Sequence, residues 1–311
     1  MELPNWMEQL HPTLKNTSIC YLSIPGSHDS LSFSVNRSSS LSPDAPALAQ
    51  FLNKICGPLM KKIIYNWCVT QTANLTQQFM LGVRYFDLRV ATKRSKIYSC
   101  HALYGMNIIK ALHVLNEMLQ KYTKEIIILD FQCFYNFQNS HHFFLSHKIH
   151  SIFGKKLCPL FEDVSCLTVE RLQMNKFQVI VIYRNDWRVN VPEFWPNSKW
   201  ITLWPNTTDI TQLCKYLTET LKKRKADAGF VSQCVFTPSP KFIARHVFST
   251  LKNSCGLQCD MKIKSIWIKN QKCLIPNGVN VIIADFIDIK EFDFCSLVVK
   301  LNEKSLSSKN L

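Results

Sequence analysis

The sequence has no apolar run that approaches the ~20 residues of a membrane-spanning helix. Its most hydrophobic stretches, FQVIVIY at 177–183 and KEIIILDF at 124–131, are short and bounded by polar residues. The first residues, MELPNWMEQLHP, contain no basic segment that leads into an apolar stretch, so they do not predict a secretory signal. We therefore expect a cytoplasmic protein whose contact with membranes is peripheral.

Acidic residues are scarce. The chain has 22 Asp and Glu but 37 Lys and Arg, which gives a formal net charge of +15. Such a surface attracts anions, among them phosphate, nucleic acid and acidic membranes. No nucleic-acid recognition motif accompanies the charge, so we expect no nucleic-acid partner. The run Lys222–Lys225 is interpreted as a solvated helix end, with nuclear entry or an anionic-lipid contact as alternatives. Nothing in the sequence indicates an oligomeric state.

The thirteen cysteines have no compact repeated spacing. In a reducing cytosol they are expected to be thiols rather than disulfides. Cys255 and Cys259, with Cys273 downstream, lack a fourth ligand and the spacing of a zinc knuckle, so no zinc site is expected.

Short β-rich runs alternate with helix-like stretches, as in a parallel sheet covered by helices. Their nearly continuous hydrophobicity indicates strands that are buried on both faces. The eight runs are 19–25, 83–90, 96–101, 126–132, 178–183, 199–204, 229–235 and 280–287.

Helical spacing of apolar residues marks the outer layer, most clearly at Ile108, Leu112, Leu115 and Leu119. Similar stripes cover 209–224, 241–253 and 289–301. The whole chain, 1–311, is predicted to form one α/β domain, an irregular (β/α)8 TIM-type barrel. Its core is expected over about 15–300, with a polar loop at 36–46 and a flexible tail at 302–311.

Polar residues cluster where the predicted strands end, although such groups are costly in apolar strands unless they are solvated or paired. The C-terminal ends of barrel strands face one mouth, which brings residues distant in sequence together. The strand-end residues are Ser27, His28, Asp29, Asp87, Arg89, His101, Gln132, Arg184 and Asp285.

This set of residues suits phosphodiester cleavage. The reaction needs a base for the attacking oxygen, an acid for the leaving oxygen and positive charge near the non-bridging oxygens. Two histidines can supply the base and the acid, because imidazole titrates near pH ~6.5. Arginine supplies a permanent planar fork of donors for phosphate.

Several ordered motifs resemble the X-domain of phosphatidylinositol-specific phospholipases C. They are SIPGSHDS at 23–30, VTQTANLTQQFMLGVRYFDLRV at 69–90, Cys100-His101 and VIIADF at 281–286. The resemblance covers roughly residues 5–300 and is nearest to the stand-alone X-domain proteins of animals. It implies cleavage of membrane phosphatidylinositol to diacylglycerol and an inositol phosphate, by way of a cyclic inositol 1,2-phosphate.

The resemblance also implies a role for each matching residue. His28 is the expected base and His101 the expected acid. Asp285 would orient His28, Asp29 would pair with His101, and Arg89 would stabilise the phosphoryl oxygens.

Four further residues are candidate substrate-binding groups. Arg184 matches the region where the family holds inositol or phosphate, and Trp204 is a candidate to pack against the inositol ring. Asp87 and Gln132 complete this set.

We expect the protein to need no cofactor. The calcium-dependent animal enzymes carry His-Asn after the first strand and acidic ligands at later strand ends, whereas this chain has Asp29, Arg89 and the neutral Gln132. Too few carboxylates remain for six or more oxygen ligands. Arg89 resembles the arginine that replaces Ca²⁺ in the bacterial enzymes, so calcium is not expected to be required.

Structural interpretations remain open for several residues. Asp87 and Arg89 also suit a structural ion pair, and Asp285 also suits a helix cap. Two alternative functions are a catalytically weak inositol-lipid binding protein and a glycerophosphodiester phosphodiesterase. The latter usually depends on an early His-Arg pair and a metal-binding Glu cluster, which the chain lacks.

Overall fold

The fold was analysed in a computed structural model, which describes residues 2–289, 291 and 293–307. Ten strands form one sheet, and helices cover it. The strands are β1 Ile24–Ser27, β2 Tyr85–Lys93, β3 Lys96–His101, β4 Leu103–Asn107, β5 Ile127–Tyr135, β6 Val179–Tyr183, β7 Phe194–Trp195, β8 Trp200–Thr202, β9 Gly229–Gln233 and β10 Val281–Ala284. The helices are α1 Pro12–Lys15, α2 Ala47–Ile55, α3 Gly57–Cys68, α4 Leu75–Met80, α5 Ile108–Lys121, α6 Asn139–Phe153, α7 Val169–Met174, α8 Ile210–Lys222, α9 Pro240–Arg245, α10 Leu257–Ile266 and α11 Phe294–Ser307.

Eight parallel strands follow the order β7-β6-β5-β2-β1-β10-β9-β8. Four inner strands, β1, β6, β9 and β10, are buried along their whole length, and β6 (VIVIY) and β10 (VIIA) are accordingly apolar throughout. The edge strands β7 and β8 are adjacent in sequence but are not paired with each other in the described sheet. The sheet is therefore a curled, open barrel, and the predicted irregular (β/α)8 fold is confirmed.

The predicted third barrel strand lies outside the barrel. Strands β2 and β3 pair antiparallel, and a two-residue turn joins them. Both turn residues, Arg94 and Ser95, have positive φ angles of 48° and 61°, the conformation of a tight hairpin turn. A parallel crossover would need a dozen or more residues. Assigning 96–101 to the barrel was therefore wrong. The eight parallel strands of the barrel instead include the short strand β7, which the sequence did not predict.

Several predicted boundaries also differ from the structure. The first run was expected to be extended from residue 19, but Ile19–Tyr21 forms a 3-10 helix that Ser18 caps. The single helix predicted at 241–253 is instead α9 followed by a wide helical turn, Lys252–Gly256. The core begins before residue 15, because Trp6 is fully buried and its indole donates to the carbonyl of Gly82.

The predicted tail is helical over 302–307. Helix α11 continues to Ser307, and the buried side chain of Asn302 accepts from Ser23 N at 2.8 Å and donates to Ser23 O at 2.9 Å. This exchange ties the last helix to the chain that enters β1. Residues 308–311 of the predicted tail lie outside the described residues.

Buried polar contacts hold the layers together. The fully buried Arg84 donates to Glu125 at 2.8 Å, and Glu125 also accepts from the backbone amides of Met7 and Glu8. The basic run at 222–225 is not wholly solvated, because buried Arg224 donates to the carbonyls of Cys20, Gly278 and Ala228.

No disulfide joins any of the thirteen cysteines, all of which lie within the described residues. Across the same part of the chain, no helix combines the length and apolarity that crossing a membrane requires.

Candidate functional site

The candidate site lies at the C-terminal end of β1. This strand is flanked by β2 and β10, so the residues that follow it have Asp87 and Arg89 on one side and Asp285 on the other. His28 is 4% exposed and Asp29 is 1% exposed. The predicted convergence of strand ends therefore occurs around His28 for Asp87, Arg89 and Asp285.

Both ring nitrogens of His28 have partners. Nδ1 lies 2.7 Å from Oδ1 of Asp285, and Nε2 lies 2.9 Å from a terminal nitrogen of Arg89. A guanidinium group can only donate, so Nε2 accepts from Arg89 and its lone pair points toward the guanidinium. Nδ1 then carries the proton and donates to Asp285. These two contacts define the orientation of the ring and its tautomer.

Arg89 connects His28 to a second carboxylate. Its terminal nitrogen lies 3.4 Å from Oδ2 of Asp87, which also accepts from the amide of Asp29 at 3.2 Å. Burial acts to lower the pKa of Arg89, but the carboxylates of Asp87 and Asp29 outweigh it and raise the pKa. The arginine is thus a fixed positive charge beside the imidazole of His28.

His101 enters the site from the end of β3. Its Nδ1 lies 2.6 Å from the carbonyl oxygen of Cys68, the last residue of α3, and 3.0 Å from Oδ2 of Asp29. Burial acts to lower the pKa of His101, but the Asp29 carboxylate and the Cys68 carbonyl favour the imidazolium, and the net effect raises the pKa. The rings of His28 and His101 are 6.5 Å apart between centroids.

Asp29 adopts a left-handed backbone conformation with φ of 41°. Aspartate tolerates this region better than most residues, and such strain is concentrated at functional sites. Burial acts to raise the pKa of the Asp29 carboxyl, but His101 and Arg89 outweigh burial and lower it. The carboxyl is therefore ionised beside His101.

Trp204 forms part of the rim of the site and is 39% exposed. Its ring centroid is 5.2 Å from that of His28, and the Arg89 guanidinium carbon lies 5.7 Å from the indole centroid. A partly exposed aromatic face beside His28 is compatible with stacking on a sugar-like ring.

Residues that sequence reasoning missed hold the site together. Gln71 donates to the carbonyls of His28 and Ala284 at 3.0 and 2.9 Å and accepts from the amide of Ile287. The Thr70 hydroxyl donates to the carbonyl of His28 at 3.1 Å. Both residues are almost fully buried. The available signal was the polar Thr70-Gln71-Thr72 segment within the motif at 69–90.

Two predicted substrate-binding residues form a separate cluster. Arg184 donates to both carboxylate oxygens of Asp130 at 2.8 and 2.7 Å and to the carbonyl of Trp200. The Tyr85 hydroxyl donates to Asp130 at 2.5 Å and accepts from Gln132 at 3.2 Å. This cluster does not contact His28 in the described structure, so substrate roles for Arg184 and Gln132 stay predictions.

A metal centre has no evident ligand group here. Among the described residues, no set of three or more His, Cys, Asp or Glu side chains is arranged to hold a metal ion. The guanidinium of Arg89 lies 2.9 Å from Nε2 of His28.

Comparison with known proteins places this geometry in context. No family model matches the chain. It is 34% identical over 307 residues to the PI-PLC X domain-containing protein 3 of Danio rerio, covering 96% of this chain and 92% of the relative. It is 37% identical over 306 residues to the PI-PLC X domain-containing protein 2 of Mus musculus, covering 96% and 87% respectively.

Solved bacterial structures share the fold. A variant of the phosphatidylinositol-specific phospholipase C of Staphylococcus aureus superposes with a TM-score of 0.68 at 16% identity, over 97% of each chain. The phosphatidylinositol-specific phospholipase C of Listeria monocytogenes gives 0.59 at 18% identity, over 97% of this chain and 99% of that chain.

Proposed function

The chain belongs to the family of PI-PLC X domain-containing proteins, and from this premise we propose that it cleaves the phosphodiester of phosphatidylinositol. The single observation that carries the proposal is the doubly held imidazole of His28. Asp285 fixes the proton on Nδ1, and Arg89 holds a positive charge at Nε2. A base and a phosphate-binding cation therefore share one point at the mouth of the barrel.

In the first step, His28 Nε2 takes the proton from the inositol 2-hydroxyl. The freed oxygen attacks the phosphorus and forms a cyclic inositol 1,2-phosphate. For this, the hydroxyl must replace Arg89 at Nε2, which releases the guanidinium to the non-bridging phosphoryl oxygens. Arginine suits that role because its planar fork matches phosphate.

His101 protonates the departing oxygen of diacylglycerol as the bond from phosphorus to that oxygen breaks. Because Nδ1 of His101 faces Cys68 and Asp29, Nε2 is the nitrogen that delivers the proton. Water then opens the cyclic phosphate with the two histidines in reversed roles. No metal ion takes part in this scheme, and the positive charge comes from Arg89.

The proposal is tested with purified protein and phosphatidylinositol vesicles in the presence of a chelator, by measuring release of water-soluble inositol phosphate. We expect release by the unaltered protein and a loss of about 10²–10⁴-fold in His28→Ala, the range for a general base. His113→Ala, an exposed histidine on α5, is the matched control and should keep full activity.

The other outcomes separate the alternatives. Vesicle binding without turnover, retained in His28→Ala, would favour an inositol-lipid binding protein. Cleavage of glycerophosphodiesters that depends on added metal would favour the glycerophosphodiester phosphodiesterase.

A further inference from the structure

The polar loop at 36–46 contacts the residue that follows the proposed acid, His101. Strand β3 ends at His101 and β4 begins at Leu103, so Ala102 alone reverses the chain between them. Ala102 has a positive φ of 58°. A residue with a side chain is strained in that region and stays there only where its surroundings hold it. The position of the His101 backbone therefore depends on what holds Ala102.

Both backbone polar groups of Ala102 are bonded to this loop. Its amide donates to Oδ2 of Asp44 at 2.7 Å, and its carbonyl accepts from the amide of Ser42 at 3.0 Å. The Ser42 hydroxyl donates to Oδ1 of Asp44, so both oxygens of that carboxylate are engaged. A hydrogen bond to a charged acceptor is stronger than one between neutral groups. Asp44 and Ser42 together hold the peptide groups on both sides of Ala102.

The residues just before Asp44 are themselves anchored to the strands that carry the acid. Leu41 pairs antiparallel with Leu103, the first residue of β4. Lys93, at the end of β2, donates to the hydroxyl of Ser40 at 2.8 Å. A carboxylate on a free loop would move with the turn, whereas one on an anchored loop restrains it.

The ring of His101 needs its backbone in one place. Its Nδ1 lies 3.0 Å from Asp29 and 2.6 Å from the carbonyl of Cys68, and these two groups come from separate elements. A shift of Ala102 would change both distances at once and would redirect Nε2. The groups around the ring are Asp29, Arg89, His28 and the carbonyl of Cys68.

We propose that Asp44 is a positioning residue for the proposed acid, which it holds through the backbone of Ala102 while Ser42 orients its carboxylate. Asp44 acts through hydrogen bonds to the turn rather than through its charge. This role rests on the proposed cleavage of phosphatidylinositol. A purely structural role would change stability alone, whereas a positioning role changes kcat and the titration of His101.

Asp44→Ala removes the acceptor of the Ala102 amide. In the vesicle assay with chelator it should lower kcat about 10–100-fold and leave KM unchanged, since a misplacement of about 1 Å costs up to about 10²-fold. Asp44→Asn keeps an acceptor oxygen at the same place and should recover most of the activity. Asp163→Ala is the matched control and should keep full activity. Its carboxylate holds the amide and hydroxyl of Ser165, not the turn at Ala102.

The titration of the His101 ring, followed by NMR and assigned with His101→Ala, does not depend on turnover. The pKa of His101 should be lower in Asp44→Ala than in the unaltered protein, because the ring no longer keeps its distances to Asp29 and Cys68. That shift, found together with an unaltered protein that cleaves no phosphatidylinositol, would support the positioning of His101 and contradict the proposed function alone.

Equal kcat and equal titration of His101 in Asp44→Ala and the unaltered protein would overturn the proposal. An Asp44→Asn variant as impaired as Asp44→Ala would also overturn it, because charge would then matter rather than the hydrogen bond. Circular dichroism checks that each variant is folded. Where Asp44→Ala does not fold, Ser42→Ala frees one carboxylate oxygen and should give a smaller loss of kcat in the same direction. An unchanged kcat and titration in Ser42→Ala would then count against the proposal.

Discussion

The ring of His101 and the carbonyl of Cys68 meet at 2.6 Å, so the end of helix α3 holds the proposed catalytic acid. A carbonyl at a helix C-terminus carries partial negative charge and stabilises an imidazolium. The Asp29 carboxylate, with a smaller contribution from this carbonyl, raises the pKa of His101 against the effect of burial. The proposed acid is therefore kept protonated to higher pH than an ordinary histidine.

The pH profile of activity tests this arrangement. Activity should fall as pH rises through the raised pKa of His101, because the leaving oxygen then lacks a proton. Asp29→Asn removes the carboxylate, so the alkaline limb of kcat should move to lower pH. By the same linkage, the contribution of His101 to stability is complete below its unfolded pKa and is lost as pH rises through the folded value. An alkaline limb that stays in place in Asp29→Asn would contradict the assignment.

The orientation of His28 depends on Asp285. In Asp285→Asn the amide can donate to Nδ1, which places the ring proton on Nε2 and removes the base. We expect kcat to fall by about 10²–10⁴-fold with little change in KM. Asp288→Asn is the matched control, because Asp288 contacts Thr72 rather than the histidine. Equal activity in the two variants would exclude Asp285 as the orienting group.

Arg89 is expected to supply the positive charge of the reaction. Arg89→Gln should lower kcat by about 10²–10³-fold, the cost of losing one electrostatic donor to a transition state. A chelator should leave the rate of the unaltered protein unchanged. The release of inositol phosphate measures both effects. Inactivation by chelator, with recovery on adding calcium, would contradict the metal-independent scheme.

The buried pair of Arg84 and Glu125 tests what stabilises the barrel. Glu125→Ala leaves a buried guanidinium without its partner and should lower the free energy of unfolding by about 3–5 kcal/mol. Glu219→Ala breaks only the exposed pair with Lys215 on α8 and should cost about 0.3–0.5 kcal/mol. Urea unfolding measures both. Similar losses in the two variants would show that burial of the first pair is unimportant.

Much of this protein is determined locally and is therefore visible in its sequence. All eight predicted runs overlap strands of the sheet, since strands that are largely buried are rich in apolar residues. The proximity of His28 to Asp285 also followed from the sequence, since parallel strands end at one edge. A charged residue at the end of an apolar strand can be recognised directly in the sequence.

Only the tertiary structure decided how His101 reaches His28 and what holds the two rings. His101 arrives on an antiparallel hairpin, and besides Asp29 its ring contacts the backbone carbonyl of Cys68. Every residue has a backbone carbonyl, so the residue type at position 68 gives no indication of that contact. Gln71 likewise binds backbone groups of His28 and Ala284, which lie far apart in the chain. Such contacts depend on where the folded chain brings its backbone, and that placement arises only when the whole sheet is assembled.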